Sequence, residues 1–264
     1  DGSIHATVAL PVAKGLAELE DATLHVVHVA ARTLPPKEIL RKLKLTPEEL
    51  RGLVIDQLTG FPAAGIVREA YQQRSIFIVL CAHTGIEKPR GALGNIAREV
   101  LQAAACPVVL VQPDRGHRPW ALRRLVLPHD GTPTCAAAIG PAADLARYAR
   151  AELAVLHVAS VCAPRPGEPG SFTVPRYQDQ PQHEWPAWAN EFLDRIRALG
   201  HPPEAVVMRL FLTRGEAGPA IVEFAARHES DLIALAWHGE LGPERALTMQ
   251  TVISHASCPV IVYR

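Results

Sequence analysis

Short apolar runs alternate with amphipathic segments along the chain. The runs that predict strands buried on both faces are Leu24–Ala30, 76–81, 107–111, Arg124–Pro128, Leu153–Ala159, Leu232–Ala236 and 259–262. Apolar residues recur at helical spacing in the segments 9–17, 36–50, 63–73, 95–104, 185–199, 219–228 and 248–255. Strands that alternate with helices predict an α/β fold, in which a parallel sheet carries helices on both faces.

The chain also contains an internal repeat. The tripeptide at Asp1 aligns with the tripeptide at Asp130, and 12 of the 30 positions from Asp1 onward are identical in the two copies. Further pairs follow in the same order: Gly60 with Gly215, Gly85 with Gly239, and Cys106 with Cys258. The spacing between the copies rises from 129 to 155 positions, which places an insertion of 26 residues near 160–186. We therefore predict two domains, 1–115 and 116–264, of which the second carries the insertion.

The two copies differ at their beginnings. In the second copy the strand Arg124–Pro128 leads into Asp130, whereas the first copy starts at the matching Asp1. The first strand of a doubly wound sheet is usually central, so its loss would leave two rows of backbone polar groups without partners. We expect the first strand of the first copy to lie outside this sequence; the alternative is that another segment completes the sheet.

Composition narrows the classes of function. Basic and acidic residues balance at 27 each, which argues against a nucleic-acid binder or a binder of anionic membranes. No apolar run is long enough to cross a membrane, and no secretory signal is recognisable. The five cysteines form no CxxC pair, so we expect neither a disulfide framework nor a zinc knuckle, and cytoplasm is the default location. The 12 histidines are scattered, so structural or solvated roles are favoured over a metal site.

Taken in order, the motifs resemble the universal stress protein family. They are a strand that ends in Asp-Gly-Ser or Asp-Gly-Thr, a helix, an LHV strand, a fourth strand that leads into a glycine-containing turn, and a last strand that begins Cys-Pro-Val. Because the motifs occur twice, the chain resembles a tandem universal stress protein. The resemblance implies two open five-stranded parallel sheets of strand order 3-2-1-4-5. It also implies an intrachain pseudo-dimer through 107–111 and 259–262, with a homodimer as a further option.

In the nucleotide-binding branch of that family, a glycine-rich loop after the fourth strand holds phosphates. Glycines let the backbone approach the anion, and the N-terminus of the next helix attracts it. The resemblance implies an adenine-nucleotide site for ATP, ADP or AMP with Mg²⁺, formed in the first copy by Asp1, Val29, Ala82, Gly85, Arg90, Gly94 and Asn95. Here Ala82 replaces a glycine, Asn95 replaces a serine or threonine, and the loop is one residue shorter than the family pattern.

The second copy departs further from the pattern, because Trp237 lies in the loop and no Gly-Ser follows. A weaker site at Asp130, His238 and Gly239 competes with the simpler interpretation that this copy keeps only the fold. We expect a binding or regulatory protein with no catalytic residues and at most slow ATP hydrolysis, because neither a nucleophile elbow nor a Walker loop is present. The alternative is a nucleotide-free module that acts through dimerisation and protein contacts.

Overall fold

A computed structural model describes residues 4–43, 52–82, 93–116, 118–159, 185–203, 205–237 and 243–264 of the chain. The chain divides into two compact units, Asp1–Ala121 and Leu122–Arg264. Both units consist of parallel strands connected through helices, so the predicted α/β class is confirmed.

The first unit contains two separate pairs of parallel strands. Its elements are α1 (Ile4–Thr7), α2 (Leu10–Leu19), β1 (Leu24–Ala30), α3 (Pro36–Leu43), β2 (Leu53–Thr59), α4 (Pro62–Gln72), β3 (Ile78–Cys81), α5 (Asn95–Ala103) and β4 (Val108–Val111). β1 pairs with β2, and β3 pairs with β4, both in parallel. Among the residues of this unit that the structure describes, no strand lies between β1 and β3.

The second unit contains a five-stranded parallel sheet. Its elements are β5 (Arg124–Pro128), α6 (Ile139–Ala149), β6 (Glu152–Ala159), α7 (Trp185–Gly200), β7 (Met208–Arg214), α8 (Ala217–Arg227), β8 (Leu232–Ala236), α9 (Pro243–His255) and β9 (Val260–Tyr263). The strands lie in the order β7-β6-β5-β8-β9, so β5 is central, and a short 3₁₀ helix, Pro133–Ala138, follows it.

Burial explains why these segments form the core of the second unit. Leu125 of β5, Leu153 of β6 and Leu232 of β8 are 0% exposed, as expected for strands covered on both faces. On α7, Trp188, Phe192 and Ile196 recur every four residues, and all three are 0% exposed. A helix with this spacing presents one apolar stripe, which here faces the core.

The sequence pattern placed most elements, but it did not single out the third strand of either copy. β2 and β7 both pair along one edge only, and each carries polar side chains among its apolar ones. The amphipathic segment 36–50 is helical over Pro36–Leu43, and its remainder lies outside the described residues. Residues 160–184 of the predicted insertion also lie outside the described residues.

Candidate functional site

The candidate site of the first unit lies at the carboxyl ends of β1 and β3. Val29 is the second-last residue of β1 and is 8% exposed, while Ala82 directly follows β3 and is 0% exposed. Gly94 is the N-cap of α5, and its backbone N–H donates a hydrogen bond of 2.9 Å to the carbonyl oxygen of Ala82. This bond holds the start of α5 against the end of β3.

A cavity of about 850 Å³ joins these residues. Val29, Ala82, Gly94 and Asn95 all line it, so four of the seven residues predicted for the first site border one space. The other three, Asp1, Gly85 and Arg90, lie outside the described residues. The cavity is large enough for a ligand of drug or nucleotide size, since such pockets are typically ~300–1,000 Å³.

The N-terminus of α5 gives this end of the cavity its electrostatic character. Gly94 has no side chain that could cap the helix, and its carbonyl oxygen accepts the N–H of Arg98 at 2.9 Å, which closes the first turn. The N–H groups of the first turn of a helix have no acceptor within the helix and form its positive end. Ile96 and Ala97, which the sequence did not single out, also line the cavity here. The arrangement favours an anion.

In the second unit, the turn after β5 contains the matching aspartate. Oδ1 of Asp130 accepts the backbone N–H of Thr132 at 3.0 Å and the hydroxyl of Thr132 at 2.6 Å. Burial disfavours the charge of Asp130, but hydrogen bonds from Thr132 and Cys135 outweigh it and keep the pKa of the carboxyl below its ordinary value. Hydrogen bonds of this kind, between an aspartate and the backbone two residues on, are typical of a turn residue. The spacing Asp-x-Thr is the sequence signal that could have indicated this role of Thr132.

Two buried histidines stand beside this turn, and their protonation is fixed by their partners. The N–H of Gly131 donates to Nδ1 of His129 at 2.9 Å, so the proton of the neutral ring is on Nε2. Nδ1 of His157 lies 3.0 Å from the carbonyl oxygen of His129 and must therefore donate to it. Burial, the largest cause, lowers the pKa of His129 to about 4, and burial also lowers the pKa of His157. Both rings are neutral at pH 7.

Helix α7 covers these histidines with aromatic side chains. The ring of His157 lies 5.0 Å from the ring of Phe192 and 5.7 Å from that of Trp188, measured between centroids. Nε of Arg195, one turn further along α7, donates to the carbonyl oxygen of Gly131 at 2.9 Å. The helix therefore holds the Asp130 turn in place. It does so through a contact between residues 64 positions apart, which no local sequence signal predicts.

The remaining predicted residues of the second site, His238 and Gly239, lie outside the described residues. Their neighbour Trp237 is 4% exposed, and its backbone N–H donates to the carbonyl oxygen of Tyr263 at 2.7 Å. The guanidinium carbon of Arg264 lies 5.2 Å from the centre of the Trp237 ring. A bulky, packed indole thus occupies the position after β8.

Neither metal ligands nor membrane spans appear in the described parts of the chain. There, no three His, Cys, Asp or Glu residues cluster as a metal site would require. No helix of those parts has the length and apolarity needed to cross a membrane. The cysteines of these parts form no disulfide; they are Cys81, Cys106, Cys135 and Cys258.

Comparisons with known proteins identify the fold and the family of the chain. The model of the universal stress protein family matches residues 121–264. Universal stress protein MJ0531 of Methanocaldococcus jannaschii is 27% identical over 145 residues, which are 54% of this chain and 82% of that protein. A solved structure of a functionally unknown protein from Pseudomonas aeruginosa PAO1 covers 96% of this chain and 86% of its own, with a TM-score of 0.64 at 17% identity.

A universal stress protein structure from Archaeoglobus fulgidus DSM 4304 covers 97% of this chain and 91% of its own, with a TM-score of 0.61 at 16% identity. Both solved structures are similar in fold. The family model covers the whole second unit, and with it more than half of the chain. This chain belongs to the universal stress protein family.

Proposed function

We propose that the protein is a tandem stress-response module whose first unit binds an adenine nucleotide, and that it acts by binding and not by turnover. The observation that carries the proposal is the bond from Gly94 N–H to the Ala82 carbonyl, which holds the N-terminus of α5 against the cavity of about 850 Å³. The cytoplasmic location and the pseudo-dimer predicted from the sequence belong to the same proposal.

The cavity offers two chemically different ends to such a ligand. Near the carboxyl end of β1 it is bordered by the apolar side chain of Val29, which suits the face of a purine. At the α5 end it is bordered by Gly94 and Asn95, where backbone N–H groups and a side-chain amide suit phosphate. A ligand that is apolar and flat at one end and anionic at the other fits both.

Residues outside the described ranges complete the proposal. By resemblance, Asp1 would contact the adenosine and Gly85 would let the backbone approach the phosphates. Arg90 would supply positive charge near the phosphates, and Mg²⁺ bound with the nucleotide would offset part of their negative charge. The one carboxylate named for this site, Asp1, is assigned to the adenosine and not to the phosphates, which is why we propose binding without catalysis.

A nucleotide-free role is the second candidate, and it applies to the second unit. There Asp130 is already bonded to Thr132 and Cys135, and Trp237 packs where a phosphate loop would begin. We propose that this unit serves as a structural and protein-interaction partner of the first, without a nucleotide of its own.

The test is calorimetric titration of the full chain with ATP and Mg²⁺, and separately with ADP and AMP. Asn95→Asp is the informative variant, because a carboxylate at the start of α5 stabilises the helix while it repels phosphate. Gln102→Glu is the matched control, since it adds the same charge near the other end of the same helix, about 10 Å away at 1.5 Å per residue.

We expect the wild type and Gln102→Glu to bind with similar affinity and Asn95→Asp to bind at least about tenfold more weakly, or about 1.4 kcal/mol. Equal affinity of Asn95→Asp and wild type would indicate that the phosphates do not bind at the start of α5. If millimolar nucleotide gives neither binding heat nor thermal stabilisation, the proposed nucleotide site is contradicted. The nucleotide-free role would then apply to both units.

A further inference from the structure

An exposed aromatic side chain lies at the N-terminus of α4, beside the purine end of the candidate site. Phe61 is the N-cap of α4 and is 85% exposed. The next residue, Pro62, borders the same cavity as Val29. A side chain of this size is usually buried, because contact between its ring and water is unfavourable. Phe61 therefore stands in water one residue away from the candidate site.

Backbone contacts hold Phe61 next to the carboxyl end of β1. The N–H of Gly60 donates to the carbonyl oxygen of Ala30, the last residue of β1, at 3.4 Å. The N–H of Gly65 donates to the carbonyl oxygen of Phe61 at 2.9 Å, which closes the first turn of α4. That turn packs on Val29, since a carbon added at Gly65 would lie 3.2 Å from both methyl carbons of Val29. Phe61 thus begins the turn that packs on the purine end of the site.

The local structure of the chain does not explain a phenylalanine at this position. An N-cap favours Ser, Thr, Asp or Asn, because the side-chain oxygen of these residues accepts an N–H of the first turn. The side chain of Phe61 has no acceptor and makes no such bond. Because it is mostly exposed, it also contributes little to the core. The residue provides neither helix capping nor burial, which points to a role outside the folding of the unit.

The second unit has the matching backbone contact and a different side chain. Gly215, which matches Gly60, donates its N–H to the carbonyl oxygen of Ala159 at 3.1 Å. The next residue, Glu216, is the exposed N-cap of α8. A carboxylate at this place is favourable, because it lies at the positive end of the helix dipole. The unit that we propose to be nucleotide-free thus carries a residue that suits the helix, whereas the unit with the cavity carries an aromatic ring.

We propose that Phe61 is a base-stacking residue, whose ring packs against the base of a nucleotide bound at Val29. The inference rests on the proposed nucleotide site and adds a determinant of ligand class to it. An aromatic side chain stacks on the face of a base and does not depend on the hydrogen-bonding edges of the base. Phe61 therefore favours ligands that carry a flat aromatic base over sugar phosphates that lack one. The exposed side chain can change its rotamer within nanoseconds, so stacking requires no movement of the backbone.

The experiment compares two ligands that share the ribose phosphate and differ in the base. The full chain is titrated calorimetrically with AMP, and ribose 5-phosphate is measured by its displacement of AMP. Phe61→Ala removes the ring, and Phe61→Trp replaces it with a larger one. Tyr71→Ala is the matched control, because Tyr71 is an aromatic side chain that is 77% exposed near the other end of α4. Ten residues separate it from Phe61, or about 15 Å at 1.5 Å per residue.

We expect Phe61→Ala to bind AMP at least about fivefold more weakly than the wild type, at the lower end of what stacking on an aromatic side chain contributes. Phe61→Trp should bind AMP at least as tightly as the wild type, because an indole also stacks on a base. Tyr71→Ala should bind AMP with unchanged affinity. Ribose 5-phosphate should bind equally to the wild type and the three variants. The Tm of each variant without ligand should stay close to that of the wild type, since both positions are exposed.

Equal affinity of Phe61→Ala and wild type for AMP would overturn this inference and leave the nucleotide site itself intact. An equal loss of affinity for AMP and for ribose 5-phosphate would also overturn it, because the ring would then act on the shared sugar phosphate. A weaker AMP complex together with a lower Tm of Phe61→Ala would assign the side chain to the fold instead. If the wild type binds neither ligand, the nucleotide site and this role of Phe61 fail together, so the two failures are distinguishable.

Discussion

Acidification should destabilise the second unit well above the pH at which carboxylates titrate. The perturbed group is His129, which is 3% exposed and accepts the Gly131 N–H through Nδ1. Protonation would break that bond and place a charge in an apolar environment beside Phe192. Both effects oppose the charged ring, in line with a pKa of about 4 in place of 6.5.

The direction and the size of this pH effect follow from the linkage between proton binding and the free energy of unfolding. An unfolded chain takes up this proton near pH 6.5 and the folded unit near pH 4, so the free energy of unfolding falls as the pH falls between these values. At about 1.4 kcal/mol per pKa unit the full effect is about 3 kcal/mol, of which about 2 kcal/mol is lost between pH 7 and pH 5. His157 contributes in the same direction, because its pKa is lowered too. Asp130, whose pKa lies below 3.8, loses its contribution only at still lower pH.

The assay is urea unfolding at pH 7 and pH 5, followed by hydrogen–deuterium exchange in β5 and β6 so that only the second unit is observed. His129→Asn is the diagnostic variant, because its side-chain oxygen can accept the same N–H two residues on and does not titrate. His201→Asn makes the same replacement at an exposed histidine of the same unit, at φ 46°, a conformation that asparagine tolerates.

We expect wild type and His201→Asn to lose about 2 kcal/mol between the two pH values and His129→Asn to lose markedly less. An unfolding free energy that does not change from pH 7 to pH 5 in the wild type would refute the reasoning. If His129→Asn loses as much unfolding free energy as the wild type, the titrating group is not His129.

Three further changes probe the same unit. Phe192→Ala should lower the free energy of unfolding by about 3–5 kcal/mol. Leu247→Ala, at a side chain of the same unit that is 64% exposed, should change it by less than about 0.5 kcal/mol in the same urea titration. Gly200→Ala would place a new carbon in steric overlap with the side chain of Ile139 on α6, so the same titration should show a loss of about 1–3 kcal/mol in the free energy of unfolding. Burial and the charge of Asp130 raise the pKa of Cys135 to about 12. Asp130→Asn should therefore lower that pKa and speed the alkylation of the Cys135 thiol, measured by mass spectrometry. An unchanged rate would contradict the effect of Asp130 on this thiol.

The parts of the fold that could be predicted are those whose burial is uniform. β5, β6 and β8 are continuous apolar runs because helices cover both faces of the central sheet, so the pattern identifies them directly. β2 and β7 pair along a single edge and carry polar side chains such as Asp56 and Arg209, so their runs are interrupted. Periodicity alone does not distinguish such strands from loops.

The candidate sites also contain some contacts that the sequence could predict and others that it could not. Val29, Ala82, Gly94 and Asn95 were predictable because the carboxyl ends of parallel strands and the start of the following helix meet at one edge of the sheet. The contact from Arg195 to Gly131 was not predictable, because it joins residues 64 positions apart. It depends on how α7 packs, where Trp188 and Phe192 lie against His157, and local sequence does not show that packing.

The same Asp-Gly dipeptide therefore need not have the same role in the two copies, since its neighbours decide what the carboxylate can bind. In the second copy Cys135 donates to Asp130, and Arg195 fastens the turn from α7. At the position that matches Cys135 the first copy has Ala6, whose side chain has no donor. We therefore expect Asp1 to keep more acceptor capacity for the hydroxyl groups of a ligand than Asp130 does.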